Sequence, residues 1–221
     1  MKMYVKYIDL PKQFKDKVFW PALKEQFKAC QFVMGPEVEV FESNFASLCG
    51  TRYALGVNSG TDAMFLSLKA LGIGRGDEVI TAPNSFVATA GAIIAAGAKP
   101  VFVDVTADYN IDVSLIEAAI TKRTKAILPV HLTGNPADMI SIKRIASKYN
   151  LFVVEDVAQA VTASIDGRKV GSFGDAGCFS LHPLKNLNVG GDGGAFTTNS
   201  STLHKRVKLL RNHGLRNREE I

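Results

Sequence analysis

The sequence predicts an α/β fold in which a mostly parallel central sheet lies between two layers of helices. Between residues 77 and 156, short runs rich in β-branched residues alternate with stretches that have apolar residues at helical spacing. The short runs are apolar throughout, as in parallel strands that helices cover on both faces. With 221 residues, the chain is long enough for one large domain with a substantial core. These observations together predict a three-layer α/β/α domain with right-handed crossovers.

The central region contains the most regular part of this pattern. Its predicted elements are the strand 77–82, the helix 86–97, the strand 99–105, the helix 113–120, the strand 125–130, the helix 137–150 and the strand 151–156. Such a succession of strands and helices is typical of a parallel sheet built from βαβ units.

The flanking regions are less regular. Residues 1–50 are predicted to be a mostly helical segment, with breaks at Pro21 and at 34–39. Beyond the central region, the pair Asp166 and Gly167 predicts a hairpin turn. The remaining predicted elements are a strand at 176–181, a loop rich in Asn and Gly, a strand at 194–199 and a helix from about Ser201.

The composition is that of an ordinary soluble globular protein, with 47% hydrophobic and 21% charged residues. No apolar stretch is long enough to span a bilayer, and the N-terminus lacks the apolar centre of a signal peptide. We therefore expect a cytoplasmic protein without membrane contact. Cys30, Cys49 and Cys178 are widely separated and show no metal-ligand spacing. They fit a reducing compartment, with each cysteine as a small core residue and no bound metal.

The formal net charge of +5 is concentrated at one end of the chain. Residues 201–221 contain six basic and two acidic residues, so the rest of the chain is nearly neutral. A basic segment can bind polyanions, or it can be one face of a helix whose partner lies elsewhere. No basic surface interleaved with aromatic residues accompanies it, so we expect no nucleic-acid partner.

A first candidate site lies at the turn Asn58-Ser59-Gly60-Thr61. A strand ends there and a helix follows, and Ser and Thr are good N-cap residues. The free N–H groups of a first helical turn, together with the helix dipole, bind anions, and Gly60 lets a phosphate approach the backbone. The alternative is an ordinary capped helix. The stretch is not a P-loop, because it lacks the Gly-Lys-Ser/Thr ending.

A second candidate is Asp156, which ends an otherwise apolar strand. Ligands of open parallel sheets bind beyond the carboxyl ends of the strands. A carboxylate at that position is expected to be partly buried, which costs free energy unless a cation or a donor faces it. Gln159 points the same way if the chain turns helically, whereas Glu155 points to the other face of the strand. An N-cap role for Asp156 is the alternative interpretation.

A third candidate is Lys185, in the loop that follows the strand ending near Ser180. The stretch "CFSLHPLKNLNVGGDGG" from Cys178 to Gly194 ends in several Asn and Gly residues. Ordering such a loop costs conformational entropy, which suggests that a ligand shapes it. An ordinary solvated lysine is the alternative.

The three candidates together match the requirements of pyridoxal 5'-phosphate. Its phosphate needs an anion site, its aldehyde needs a lysine amine for a Schiff base, and its pyridine nitrogen needs an acidic partner. A carboxylate beside that nitrogen raises its pKa, so the ring stays protonated near neutral pH and accepts electrons. Phe86, in the loop after the strand 77–82, is placed to stack on the ring, with a place in the core as the alternative.

With these residues identified, the sequence resembles the DegT-type nucleotide-sugar aminotransferases. Those proteins have the aspartate-aminotransferase fold, type I of the pyridoxal-phosphate enzymes. The resemblance is collinear from about residue 30 to 216 and so covers nearly the whole chain. It rests on the stretches "NSGTDAMFLSLKALGIGRGDEVI", "NSFVATAGAI", "VFVDV", "YNID", "HLTGNPADM", "VVEDVAQA", "GRKVGSFGDAGCFSLHPLKNLNVGGDGG" and "LLRNHG".

The resemblance implies a role for each matching position. It implies that Lys185 forms the Schiff base and shuttles the proton, and that Asp156 faces the pyridine nitrogen. It also implies that Gln159 binds the ring oxygen and that Phe86 stacks on the ring. The residues that it implies for the phosphate are Gly60, Thr61 and Ser180, beside the N-cap residue Ser59.

The resemblance further implies the reaction and the assembly. Glutamate is the usual amino donor, and a nucleotide-linked keto-sugar is the usual acceptor. Family members work as homodimers and continue into a smaller C-terminal domain, which is expected to be absent from residues 1–221. The alternative hypothesis is a shortened or non-catalytic relative that keeps the fold for cofactor or partner binding. His131, His182 and Asn186 are candidates for substrate contact, and packing of loops and strand ends explains them equally well.

Overall fold

The computed structural model describes residues 6, 8–15 and 19–215. Its helices alternate with strands through the centre of the chain, as the sequence predicts. The helices are α1 (Leu10–Gln13), α2 (Phe19–Ala29), α3 (Pro36–Cys49), α4 (Gly60–Ala70), α5 (Val87–Ala95), α6 (Val113–Ala119), α7 (Met139–Tyr149) and α8 (Ser201–Leu210), with a 3₁₀ turn at Leu132–Gly134.

The strands form one seven-stranded sheet and one two-stranded hairpin. They are β1 (Tyr53–Val57), β2 (Glu78–Thr81), β3 (Lys99–Phe102), β4 (Thr124–Ile127), β5 (Phe152–Asp156), β6 (Ser164–Ile165), β7 (Arg168–Lys169), β8 (Ala176–Ser180) and β9 (Gly194–Thr198). The order in the large sheet is β1-β9-β8-β5-β4-β2-β3, and only β9 runs antiparallel to its neighbours. The predicted mostly parallel sheet is therefore confirmed.

Helices cover both faces of this sheet. On one face, α4, α5 and α8 pack over a cluster that includes Leu55, Val154 and Phe196. On the other face, α6 and α7 cover β4 and β5, while Phe45 of α3 packs edge-on against Phe179 of β8. Because successive side chains of a strand point to opposite faces, each central strand contributes side chains to the core on both faces of the sheet. The three-layer α/β/α prediction is confirmed.

Local sequence signals explain several boundaries. The hairpin β6–β7 turns at Asp166 and Gly167, whose φ angles of 48° and 79° are those of a type I′ turn. The predicted break at Pro21 is wrong, since Pro21 lies in the first turn of α2, where proline removes no helical hydrogen bond. The break at 34–39 is confirmed in part, since α3 begins within it at Pro36.

The basic C-terminal segment is partly bound to the fold. Leu203 and Val207 of α8 are buried in the core, and Arg206 donates to the carbonyl of Ala70 at 3.0 Å. Arg211 donates to the carbonyl of Gly56 at 2.8 Å. These contacts favour the interpretation of this region as one face of a packed helix. The last predicted basic residues, Arg216 and Arg218, lie outside the described residues, as do residues 1–5, 7 and 16–18 of the predicted N-terminal helical segment.

The direction of the strands places the loops that carry the candidate residues at one edge. The carboxyl ends of β1, β2, β5 and β8 lie at that edge, and the reversed strand β9 begins there at Gly194. None of the helices in the described ranges combines the length and the apolar character needed to cross a bilayer.

Candidate active site

A cleft of about 300 Å³ lies at this edge of the sheet. It is formed by the turn before α4, the start of α5, the end of β5 and the loop after β8. The structure brings together every site residue that the sequence predicts, namely Ser59, Gly60, Thr61, Phe86, Asp156, Gln159, Ser180 and Lys185. Their convergence shows that the separate motifs form one site.

An anion cradle lies at the N-terminus of α4. Ser59 is the N-cap residue, and its hydroxyl oxygen accepts the N–H of Asp62 at 3.0 Å. The N–H of Ala63 donates to the carbonyl of Ser59 at 3.0 Å. Within the described part of the chain, the N–H groups of Gly60 and Thr61 have no acceptor. Two free donors and the positive end of the helix dipole therefore meet at the cleft.

The cradle is closed on one side by the end of β8. A side chain at Gly60 would place a Cβ 2.9 Å from the Cβ of Ser180 and 3.1 Å from its Cα. Only glycine permits this approach. Ser180 therefore lies directly against the turn that carries the free N–H groups of α4.

Asp156 is almost completely buried at the floor of the cleft, with 4% of its surface exposed. Its Oδ2 accepts the hydroxyl of Thr89 at 2.8 Å, and its Oδ1 accepts the N–H of Ala158 at 3.1 Å. Burial raises the pKa of this carboxyl, and the two hydrogen bonds and the nearby Lys185 act in the opposite direction. Asp156 is thus held in place, and no cation among residues 6, 8–15 and 19–215 contacts it directly.

Thr89 contacts the buried carboxylate of Asp156, and the sequence interpretation missed it. It lies on α5 one turn after Phe86 and is 1% exposed. The Ser85 hydroxyl lies 2.7 Å from the Thr89 hydroxyl, so the chain Ser85, Thr89, Asp156 runs from the surface loop to the buried carboxylate. In the sequence, Thr89 resembles an ordinary helix residue, and only the fold brings its hydroxyl to Asp156.

We expect Thr89→Val to lower the rate of the amino transfer that the resemblance implies about tenfold, because it removes a hydrogen bond to a buried charged group. The loss of that bond raises the pKa of Asp156 further, so the acidic limb of the pH–rate profile moves to higher pH. A pH–rate profile of both proteins measures this. Thr81→Val is the matched control, since Thr81 is fully buried and donates only to the carbonyl of Leu128 at 2.8 Å. An unmoved acidic limb in Thr89→Val would contradict the role of Thr89.

Lys185 lies in a loop that hydrogen bonds hold in shape. Its N–H donates to the carbonyl of His182 at 2.8 Å, and its carbonyl accepts the side-chain amide of Asn188 at 3.1 Å. Lys185 is half-buried and lines the cleft, so the interpretation as an ordinary solvated lysine does not fit. A second, open hollow on its other side is lined by Asn186 and by residues of α1.

Phe86 and Gln159 border the cleft from two sides. Phe86 is 69% exposed, which excludes the alternative that it belongs to the core of this chain. Gln159 is half-buried in a tight turn in which the N–H of Ala160 donates to the carbonyl of Val157 at 3.1 Å. Of the candidates for substrate contact, His182 lines the cleft, whereas His131 is fully buried. The substrate-contact hypothesis for His131 is therefore wrong.

Cys178 is excluded as a catalytic thiol. It is 1% exposed within β8, and burial raises the pKa of its thiol far above neutral pH.

The donor set of the cleft fits pyridoxal phosphate. An anion cradle, a buried carboxylate and a lysine amine are the three groups that this cofactor needs. The close approach of Gly60 to Ser180 leaves the backbone donors of α4 uncovered by any side chain at that position. The cleft therefore has both the donor groups and the open space at Gly60 that the cofactor requires.

The chain matches a family of known proteins over most of its length. A family model described as the DegT/DnrJ/EryC1/StrS aminotransferase family matches residues 14–221. Among curated proteins, the chain is 52% identical over 184 residues to the UDP-N-acetyl-3-dehydro-alpha-D-glucosamine 3-aminotransferase of Acidithiobacillus ferrooxidans, covering 83% of this chain and 50% of that protein. It is 47% identical over 187 residues to the dTDP-3-amino-3,4,6-trideoxy-alpha-D-glucose transaminase of Streptomyces venezuelae, covering 84% of this chain and 49% of that protein.

Solved structures show the same similarity. DesV of S. venezuelae, in complex with a ketimine intermediate, superposes with a TM-score of 0.90 at 42% identity, covering 97% of this chain and 58% of that one. NtdA of Bacillus subtilis, with bound cofactor PMP, superposes with a TM-score of 0.89 at 35% identity, covering 98% and 50%. The chain thus spans about half the length of the relatives that it matches.

Proposed function

The chain belongs to the DegT/DnrJ/EryC1/StrS aminotransferase family, and we propose that the protein containing it is a pyridoxal-phosphate-dependent sugar aminotransferase. It transfers an amino group from glutamate to a keto-sugar joined to a nucleotide. The observation that carries this proposal is that Lys185 and the buried Asp156 line one cleft with an anion cradle. When bound, pyridoxal phosphate supplies the aldehyde that takes up amino groups and the ring that accepts electrons from the reacting carbon.

Lys185 and Asp156 are the proposed catalytic residues. The amine of Lys185 holds the cofactor covalently and moves a proton to and from the substrate carbon, as a positioned general base and acid does. The carboxylate of Asp156 would accept a hydrogen bond from the ring N–H of the bound cofactor, and its negative charge would keep that nitrogen protonated. Since Asp156 is buried, this charge acts in a low-dielectric site, where it is little screened.

The other site residues bind and orient the cofactor. The N–H groups of Gly60 and Thr61 and the hydroxyls of Ser59 and Ser180 would hold the phosphate. The side-chain amide of Gln159 would donate to the ring oxygen. Phe86 would cover the ring face and exclude water from it.

The substrate class follows from the named relatives. The two curated proteins described above are named as transaminases of a UDP-linked and a dTDP-linked sugar. We propose a nucleotide-linked keto-sugar of this kind as amino acceptor, glutamate as donor and the cytoplasm as the compartment.

The domain assignment is also proposed from the comparisons. We propose that residues 1–221 correspond to the cofactor-binding large domain, including the N-terminal helical segment, and that they contain no counterpart of the smaller C-terminal domain that the resemblance implies. We propose a homodimer as the working assembly. The exposed apolar side chains of Phe86, Val87 and Leu184 beside the cleft support it, since such patches mark interaction surfaces.

The reaction is tested by two half-reactions of the protein that contains this chain. Loaded with pyridoxal phosphate and mixed with glutamate, it should release one 2-oxoglutarate per site. The aminated protein should then convert a keto-sugar nucleotide to its amino-sugar. Tight cofactor binding without release of 2-oxoglutarate would favour a non-catalytic relative that keeps the fold for binding.

We expect Asp156→Asn to slow the glutamate half-reaction about 10²- to 10³-fold, because a preorganised charge at the reacting system is lost. Cofactor affinity should fall much less, since the phosphate contacts remain. Stopped-flow absorbance and cofactor titration measure the two effects separately. Asp175→Asn serves as a control away from the cleft, because Asp175 accepts the N–H of Val153 at 2.8 Å. Equal half-reaction rates for Asp156→Asn and the unchanged protein would contradict the role of Asp156.

A further inference from the structure

A buried pair of side chains lies on the face of β5 opposite to Asp156. Glu155 and His131 are both fully buried, and His131 Nε2 lies 3.2 Å from Glu155 Oε2. The Nδ1 of His131 accepts the N–H of Ala137 at 3.0 Å. Because Nδ1 is an acceptor, the ring proton is on Nε2, which donates to Glu155. The proposed reaction uses neither residue.

Glu155 also holds the turn that leads into β8. Its Oε2 accepts the N–H of Gly171 at 2.7 Å, and its Oε1 accepts the N–H of Gly174 at 2.6 Å. Gly171 has a φ of +83°, and a Cβ at Gly174 would lie 2.5 Å from the carbonyl oxygen of Val153. The turn is therefore packed directly onto β5. Glu155 accepts hydrogen bonds from His131 and from the N–H groups of Gly171 and Gly174.

These contacts join the two segments that flank Asp156. The N–H of His131 donates to the carbonyl of Asp156 at 3.1 Å, and the N–H of Asp156 donates to the carbonyl of Pro129 at 2.9 Å. On the other side, the N–H of Val157 donates to the carbonyl of Cys178 in β8 at 2.8 Å. Glu155 thus links the segment after β4 to the turn before β8, directly beneath the point where the cleft opens.

We propose that Glu155 and His131 are positioning residues that fix the carboxylate of Asp156 against the ring nitrogen of the cofactor. The proposal rests on the proposed function, because it assumes that Asp156 faces that nitrogen. Glu155 favours the Nε2–H form of His131, and the pair fixes the segment after β4 and the turn before β8 against β5. Loss of the pair displaces Asp156 from its partner and leaves the phosphate cradle at α4 in place.

The test compares the dissociation constants of pyridoxal phosphate and of its 1-deaza analogue, in which carbon replaces the ring nitrogen. The unchanged protein should bind pyridoxal phosphate about tenfold or more tightly than the analogue, since only the former offers Asp156 a charged donor. In Glu155→Gln the ratio should fall towards one. The side-chain amide of glutamine at position 155 has one acceptor and one donor group. Its NH₂ group would face an N–H of the turn or the Nε2–H of His131, and His131 cannot move its proton to Nδ1, because Nδ1 accepts the N–H of Ala137.

Two further variants keep the test decisive if Glu155→Gln folds poorly. His131→Gln retains a donor towards Glu155, so it should still bind pyridoxal phosphate more tightly than the 1-deaza analogue. His131→Ala has no such donor, and its two dissociation constants should be nearly equal. Glu78→Gln is the matched control. Glu78 is a carboxylate with 3% of its surface exposed, and it accepts hydrogen bonds from the side chains of Thr121 and Arg123. It lies at the start of β2, at the edge of the sheet opposite to the cleft. It should lower the melting temperature and leave the ratio unchanged.

The outcomes separate this inference from the proposed function. A ratio in Glu155→Gln equal to that of the unchanged protein, with a melting temperature lowered as in Glu78→Gln, would show a structural role only and overturn the inference. No discrimination in the unchanged protein would overturn the role of Asp156 itself, and the inference with it.

Discussion

We expect Lys185→Ala to abolish the visible absorbance of pyridoxal phosphate held covalently by the protein, and to lower amino transfer about 10²- to 10⁴-fold. The expected rate effect follows from the loss of the residue proposed to move the proton, since positioned general acids and bases contribute factors of this size. The spectral effect follows from the loss of the amine within the cleft. Absorbance spectra of the loaded protein, and mass spectra after borohydride reduction, measure the covalent attachment directly.

Two control variants separate the amine from charge and from general destabilisation. Lys185→Arg keeps a positive charge near Asp156, but a guanidinium is not deprotonated in proteins and cannot attack the aldehyde, so it should lose the absorbance too. Lys169→Ala replaces a lysine that is also half-buried but donates to the carbonyl of Thr162, outside the cleft. It should keep both the absorbance and the rate. An unchanged visible band in Lys185→Ala would refute the assignment of Lys185.

The central sheet could be predicted because its signals are local. Continuous apolar runs separated by helical patterns indicate parallel strands, and the Asp166-Gly167 pair indicates a hairpin turn. The reversed direction of β9 could not be predicted, because the residues of a short strand such as "GAFTTN" do not indicate in which direction it runs within a sheet. Its direction depends on pairing with β1 and β8, which are distant in the sequence. The predicted break at Pro21 was wrong because proline breaks the interior of a helix but is tolerated in its first turn, and the sequence did not show where α2 begins.

The candidate site was predictable to the extent that its residues stand out chemically. A lone lysine in a glycine-rich loop and a lone aspartate at the end of an apolar strand are unusual, and the eight predicted residues do converge on one cleft. Their roles in the reaction stay predictions. Thr89 and the pair formed by His131 and Glu155 were missed, because each resembles an ordinary helix or strand residue until the fold supplies its partner. Only tertiary contacts distinguish a buried hydrogen-bonded histidine from one that faces a substrate.

The site also depends on residues that have no side chain to contribute. Gly194, the first residue of β9, pairs with Val57 on one side and with Ser180 on the other. A Cβ at Gly194 would lie 2.3 Å from the carbonyl carbon and oxygen of Ser59 and 2.8 Å from the nitrogen of Gly60. These are backbone atoms of the anion cradle, so no rotation of a side chain can relieve the overlap. The reversed strand therefore packs directly behind the backbone of the proposed phosphate site.

We expect Gly194→Ala to shift the turn at Ser59 and Gly60, to lower the free energy of unfolding by about 1–3 kcal/mol, and to weaken pyridoxal phosphate binding more than tenfold. Affinity for pyridoxal, which lacks the phosphate, should fall much less, because Lys185 and Asp156 lie elsewhere in the cleft. Thermal unfolding and titration with the two ligands measure the effects. Gly91→Ala is the control: a Cβ there meets no atom within 4 Å, and Gly91 lies within α5, so alanine should stabilise the helix by about 0.5–1 kcal/mol. An equal loss of affinity for both ligands in Gly194→Ala would show that the overlap disturbs the whole cleft, and would contradict a specific role of Gly194 in the phosphate site.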